Sequence, residues 1–316
     1  MKILITPTSF KPDGNIPALD QLRSFADTLV FNPQSRPMTE DELILMLEGC
    51  DGCIAGLDSF TRKVIENTQK LKVISRYGIG IDNIDMAASR SKNIVVCNTP
   101  GVNAHAVADL TFGLLLCVAR KISALDRYTK AGKWTRSIGI ELFGKTIGIL
   151  GLGAVGKAVA NRAAGFSMRI LAYDPYINEE YAEKKGIISA DFGQVIKEAD
   201  FLCLHQPLTG ETSHIINHDV MSAMKKDAII VNTARGGLID ENAAYQLLKS
   251  GHLGGVGLDV YETEPPGVHP LFALDNVVVT PHTSAHTAEA ITGMAYMAVQ
   301  NMIDVLSGKV CRYIVE

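Results

Sequence analysis

Four polar residues stand at the ends of short apolar runs in the second half of the chain. His205 follows Phe201–Leu204, Arg235 lies just beyond Ile229–Asn232, Asp259 follows Leu258, and His282 follows Thr280-Pro281. If those runs are parallel strands, these residues line one rim, where open α/β sheets bind ligands. Histidine titrates near neutrality and can take and return a proton at working pH. A guanidinium fork can hold a carboxylate by two hydrogen bonds and orient the carbon beside it. A carboxylate next to a histidine fixes its tautomer and favours its charged form. Such a set has what oxidation of a 2-hydroxy acid requires: a base, a cation and a partner that holds the base. Each residue alone also has a structural reading. Arg235 would be a solvated loop residue, Glu264 a turn acid before Pro265-Pro266, and His282 a strand-end residue held by backbone.

A second constellation lies upstream. Thr146–Leu150 reads as a strand and runs into Gly151-Leu152-Gly153-Ala154-Val155-Gly156, after which Lys157 to Gly165 reads as a helix. Glycines at this spacing allow a tight turn, close backbone approach to a pyrophosphate, and tight helix packing, with the anion over the helix N-terminus. Eighteen residues after Gly156, the run Arg169–Tyr173 ends at Asp174, where a carboxylate would accept from ribose hydroxyls. A carboxylate there repels a 2′-phosphate, and no Arg is close by, so NAD is expected over NADP.

The elements that must position these residues alternate along the whole chain, which predicts α/β architecture with parallel sheets. Lys2–Thr6, Cys53–Ala55, Val73–Ser75 and Val95–Cys97 form one strand set, with helices over Asp41–Glu48 and Thr61–Gln69. Thr146–Leu150, Arg169–Tyr173, Phe201–Leu204, Ile229–Asn232, Gly257–Val260 and Val277–Thr280 form a second. Ala104 to Lys121 has helical apolar spacing and is expected to bridge the two; Ala288 to Leu306 is a helix expected to pack on the first. Asp82 and Asp85 are expected to cap the helix that follows them. Cys50-Asp-Gly-Cys53 is half of a metal or redox motif and reads as structural; no metal site is expected.

Val231-Asn-Thr-Ala-Arg235-Gly-Gly-Leu-Ile-Asp240, Gly257-Leu-Asp259-Val-Tyr-Glu-Thr-Glu264-Pro and Thr280-Pro-His282 resemble the D-isomer-specific 2-hydroxyacid dehydrogenases, most closely their phosphoglycerate dehydrogenase branch. The resemblance extends through Asn98–Gly101, Gly132–Trp134, Leu142–Thr146 and Asp200–Thr212. It implies two doubly wound parallel-sheet domains: a Rossmann NAD-binding domain (99–285) inserted into a flavodoxin-like substrate domain (1–98 with 286–316). It makes His282 the general acid/base, Glu264 its partner, and Arg235 the binder of the substrate carboxylate and carbonyl. Asp259 would face the nicotinamide carboxamide. His205, Pro207, Thr212, Thr233, Ala234 and Ala285 would line the cofactor pocket. The backbone of Gly78-Ile79-Gly80 would grip the substrate, with Arg76 a candidate for a distal anion, so that the active site is the cleft between the domains. Family-like homodimerisation would bring Trp134 and Arg136 to a partner's cleft. Ser284 stands where relatives commonly have Gly. No Arg occurs near Ile54–Asp58, where some phosphoglycerate-specific relatives carry one, and the end at Glu316 predicts no serine-sensing domain.

A net charge of −4 without a basic run gives little attraction to nucleic acid or anionic lipid. The longest apolar stretch, Leu110 to Ala119, is too short to span a bilayer. With no secretory signal and scattered cysteines, a cytoplasmic enzyme is expected. The substrate is expected to be a small 2-hydroxy or 2-keto acid: 3-phosphoglycerate, or alternatively glyoxylate or hydroxypyruvate. An NAD-sensing corepressor-like protein is the reading from another class, and a hydrolase lacks a nucleophile.

Overall fold

The computed structural model describes residues 1–12 and 16–315. The chain divides into two compact units, one of Met1–Asn103 with His286–Glu316 and one of Ala104–Ala285. The first crossing therefore lies past Asn103 rather than at residue 98. Residues 98–102 are fastened to the first unit: Asn98 N donates to Tyr313 O at 3.1 Å and Thr99 N to Gly78 O at 2.9 Å.

The first unit holds a parallel sheet of β1 (Lys2–Ile5), β2 (Thr28–Phe31), β3 (Gly52–Ala55), β4 (Val73–Arg76) and β5 (Val95–Cys97), in the order β2-β1-β3-β4-β5. That is the flavodoxin-like order. Its central strands are buried on both faces, which is why they read as continuous apolar runs. The 19-residue helix Ala288–Leu306 packs on this sheet, and Ser75 Oγ donates to Ala298 O at 2.8 Å. Thr39 caps the helix Glu40–Leu47 through a capping box closed by Glu42. Asp85 caps Met86–Ser91 by accepting from Ala88 N; Asp82 is not the cap. Cys50 Sγ donates to Met46 O at 3.3 Å, and both Cys50 and Cys53 are buried free thiols.

The second unit holds β6 (Thr146–Leu150), β7 (Arg169–Tyr173), β8 (Ile187–Ser189), β9 (Phe201–Leu204), β10 (Ile229–Asn232), β11 (Gly255–Leu258) and β12 (Val277–Val279). They form one parallel sheet in the order β12-β11-β10-β9-β6-β7-β8, the doubly wound arrangement with one extra strand. The chain starts in the middle at β6, winds out to β8, then returns to β9 on the other side. This makes β6/β9 the topological switch point. The helix Ala104–Ala119 lies wholly in this unit, against β10, β11 and the helix Ala154–Gly165, rather than bridging two sheets. Its Leu115 and Ala108 are fully buried, so an apolar helix is what the sheet face selects.

β2 and β8 carry no sequence signal strong enough to be expected. Each is a short edge strand with one neighbour, β1 and β7 respectively, and three of the four β2 residues are only partly buried.

Candidate active site

The sheet order converts sequence positions into neighbours along one rim. From β12 across to β7, the carboxyl ends present His282, the Asp259–Glu264 segment, the Arg235 turn, His205, the Gly151 loop and Asp174.

His282 Nδ1 donates to Glu264 Oε2 at 2.7 Å, with the two side chains about equally open to solvent. Glu264 Oε1 also accepts from Tyr261 N at 3.2 Å, which fixes the carboxylate from both ends. His282 has φ +49°, a left-handed conformation that costs energy outside glycine. Asp259 holds it there. Its carboxylate accepts from Thr280 Oγ1 (2.6 Å), Thr283 N (2.8 Å) and Ser284 N (2.8 Å), and its carbonyl accepts from His282 N (2.9 Å). Asp259 is 0% exposed. The carboxylate thereby shapes the 280–284 turn that carries His282.

Arg235 begins the turn after β10. Asn232 shapes that turn, accepting from Ala234 N at 3.0 Å and donating from Nδ2 to Arg235 O at 2.8 Å. Arg235 Nη1 donates to Ala234 O at 2.7 Å. Thr233 is buried, its hydroxyl 2.9 Å from that of Thr111 on the neighbouring helix, a contact that buttresses the turn.

The dinucleotide loop has the geometry its glycines predict. Gly151 has φ +94°, and a Cβ there would come within 2.7 Å of the His205–Gln206 backbone; one on Gly156 would lie 2.1 Å from Gly151 O. Ala154 and Val155 open the helix Ala154–Gly165 beyond Gly153, which supplies no side-chain cap to its first amides. Asp174 Oδ2 accepts from Leu152 N and Oδ1 from Tyr176 N, both at 2.8 Å. Thr212 donates to Pro207 O at 2.8 Å and accepts from Thr209 N at 2.7 Å, closing the loop after β9. Ala285 follows the buried Ser284.

In the first unit, Arg76 is buried. Its guanidinium donates to Gly80 O (3.0 Å), Tyr77 O (2.5 Å) and Ala55 O (3.3 Å). Arg76 thus braces the 76–80 turn from within. Gly78 N is likewise committed, donating to Thr99 Oγ1 at 2.9 Å.

Residues 112–284 match the family model for the D-isomer specific 2-hydroxyacid dehydrogenase NAD binding domain. A D-3-phosphoglycerate dehydrogenase of Methanocaldococcus jannaschii is 45% identical over 283 residues, covering 88% of this chain and 54% of that protein. The chain thus spans about half the length of that relative. A glyoxylate reductase of Korarchaeum cryptofilum is 39% identical, covering 87% of this chain and 85% of its own length. The crystal structure of the TT0316 protein from Thermus thermophilus superposes with a TM-score of 0.90 at 37% identity, both chains fully covered. The chain belongs to the D-isomer-specific 2-hydroxyacid dehydrogenase family. Its second unit contains that family's NAD-binding domain.

The residues present fit that cofactor. Besides the uncapped helix and the glycine turn, both ring nitrogens of His205 and Nε2 of Gln206 are buried with no partner among the described residues, at the switch point where a dinucleotide would supply polar groups. Burial holds the His205 imidazole down to about 3, so it is neutral and performs no acid–base work at working pH.

Sequence reasoning passed over Asn232, Tyr261, Thr280 and Thr111, which act on the site only through other residues. Asn232, directly before Thr-Ala-Arg235, was open to recognition as a turn-shaping Asx residue. No helix among the described residues is long and apolar enough to cross a membrane, and none of their His, Cys, Asp and Glu side chains group into a metal cluster.

Proposed function

We propose that this chain reduces a short 2-keto acid to the D-2-hydroxy acid, and reverses the reaction, with His282 as proton donor and acceptor, Glu264 as its orienting partner and Arg235 as the carboxylate and carbonyl binder. The hydrogen bond between His282 Nδ1 and Glu264 Oε2 carries this reading. It assigns the Nδ1 proton to the carboxylate and leaves Nε2 to exchange a proton with the substrate oxygen. Bound NAD supplies or accepts the hydride. Arg235 neutralises charge on the carboxylate and on the oxygen as it develops. The 78–80 turn is the proposed second carboxylate contact. With Gly78 N committed to Thr99, that role rests on the Ile79 and Gly80 amides.

Arg76 distinguishes the candidate substrates. Its Nε and Nη1 donate to backbone carbonyls and the side chain is buried, which favours glyoxylate or hydroxypyruvate. The 45% identity to a phosphoglycerate dehydrogenase keeps 3-phosphoglycerate as the second reading. Steady-state kcat/KM with glyoxylate, hydroxypyruvate and 3-phosphohydroxypyruvate, followed by NADH absorbance, tests the choice. A preference of about 100-fold or more for the phosphorylated acid, roughly 2.7 kcal/mol, would reverse it. No turnover of any of the three, despite NADH binding, would favour a corepressor-like binding protein.

Trp134, Ile138 and Phe143 are 84%, 91% and 72% exposed, on a segment without helix or strand. Apolar side chains so exposed mark an interaction surface. A second copy of this chain is our proposed occupant, giving a homodimer, and light scattering on the purified protein tests it. Six free cysteines and a net charge of −4 support a cytoplasmic protein without nucleic-acid partners.

A further inference from the structure

The turn that carries Arg235 and the segment that carries Glu264 meet backbone to backbone. A Cβ on Gly236 would come within 1.8 Å of the Tyr261 carbonyl carbon and 2.4 Å of Glu262 N. Beside this contact two carboxylates cross over. Glu241 N donates to Glu262 Oε1 and Glu262 N donates to Glu241 Oε1, each at 2.9 Å. Glu241 opens the helix Glu241–Lys249, so its amide has no partner within the helix and Glu262 supplies one.

His214 brings a third segment to the same point. Its Nε2 lies 3.4 Å from Glu262 Oε1, and its backbone N donates to Gly237 O at 2.7 Å. Ile216 N donates to Leu238 O at 3.0 Å, and Asp240 N returns to Ile216 O at 3.1 Å. The loop after β9, the Arg235 turn and the Glu264 segment are thereby fastened together.

We propose that Glu262 and Glu241 form a reciprocal clasp that sets the aim of Arg235 and Glu264, which makes both acids positioning residues for hydride transfer; this rests on the catalytic reading above. Glu262 lies next to Tyr261, whose amide holds Glu264 Oε1, so a shift of this segment reaches the carboxylate that orients His282. Glu241 lies six residues after Arg235, past a single 3₁₀ turn, Gly236–Leu238. Two neighbouring acids are a poor choice for stability alone. Burial pushes the Glu241 carboxyl up, the Glu262 amide opposes this, and the Glu262 charge adds to the rise. Two acids side by side are understandable where each carboxylate orders the other's backbone.

Glu262→Ala opens the clasp, whereas Glu262→Gln keeps an acceptor oxygen for Glu241 N. With the full chain, glyoxylate and NADH, Glu262→Ala should lower kcat by about 10- to 100-fold, the loss expected from misplaced reacting groups. NADH affinity by fluorescence titration should stay within about twofold, since the glycine loop is untouched. The primary isotope effect with NADH deuterated at C4 should rise as the chemical step slows. Glu262→Gln should recover most of kcat. The Glu241→Ala/Glu262→Ala double variant should be no slower than the slower single one, because both break the same device. Should Glu262→Ala not fold, Glu241→Ala opens the clasp from the other side with the same readouts.

The clasp is overturned by a wild-type kcat in both alanine variants, by a loss that follows the folded fraction with an unchanged isotope effect, or by Glu262→Gln being as damaging as Glu262→Ala. His282→Ala is the companion control. If it is inactive while Glu262→Ala is normal, the clasp alone fails; if it is active, the catalytic reading itself fails.

Discussion

Glu264 Oε2 lies 2.7 Å from His282 Nδ1 across 18 residues of sequence. An ionised carboxylate can only accept, so this contact fixes the tautomer and the ring plane together. Replacing His282 with Ala should therefore lower kcat by about 10² to 10⁴-fold, the usual worth of a positioned acid–base group. NADH binding should persist, because the glycine loop lies on other strands. Stopped-flow turnover beside fluorescence titration checks both halves, and full activity would remove His282 from the mechanism.

Asp259 serves His282 through the backbone. Asp259→Ala would leave the Thr283 and Ser284 amides and the Thr280 hydroxyl without their acceptor. Each buried group left unpaired costs about 1–3 kcal/mol. The expected result is a clear fall in Tm together with a loss of kcat, and Asp259→Asn should be milder because one acceptor oxygen survives. An unchanged melting curve for Asp259→Ala would mean the 280–284 turn is held by something else.

The parts of this site that were legible in the sequence are those whose reason is local. Gly151 and Gly156 must be glycine because of atoms a few residues away in the same turn or on the adjoining strand, and Asp174 ends the strand that follows. His282 and Arg235 were visible as polar residues at the ends of apolar runs. Asp259 was visible as a site residue, but its partners within the fold were not. Nothing in the Leu-Asp-Val context shows that the carboxylate turns inward to three donors more than twenty residues downstream. Glu241 and Glu262 were invisible for the same reason: each acid's partner is the other's amide, 21 residues off. Arg76 reads as an available cation until the 76–80 turn folds around it. In the fold, β10 and β12 declare themselves by runs of β-branched residues, whereas β2 and β8 gain strand form from a single neighbour each.

Asp174 should set the choice of dinucleotide. Its two oxygens are held by Leu152 N and Tyr176 N, which keeps the charge in place at the end of β7. Two unit charges about 4 Å apart interact by about 4 kcal/mol at an effective dielectric of 20, so a 2′-phosphate is strongly disfavoured. Asp174→Ser should shift the ratio of kcat/KM for NADH over NADPH by about 100-fold or more toward NADPH. Equal use of both cofactors by the unaltered chain would show that selectivity lies elsewhere.

His205 makes a prediction about acid stability whose sign follows from burial. Its ring is held neutral to about pH 3 in the folded state, whereas an unfolded histidine titrates near 6.5. Between those values the unfolded chain binds a proton that the folded chain refuses, so stability rises with pH across that window. The contribution is complete above about pH 6.5 and is lost as pH falls, by up to about 1.4 kcal/mol per pH unit. Carboxylates titrate in part of the same range, so the test is a difference. Urea midpoints of the unaltered chain and of His205→Asn, measured without cofactor from pH 7 to pH 5, should converge as the pH drops, because the asparagine has no proton to gain. Parallel curves would show that His205 is protonated in the folded state after all, with an acceptor opposite its ring.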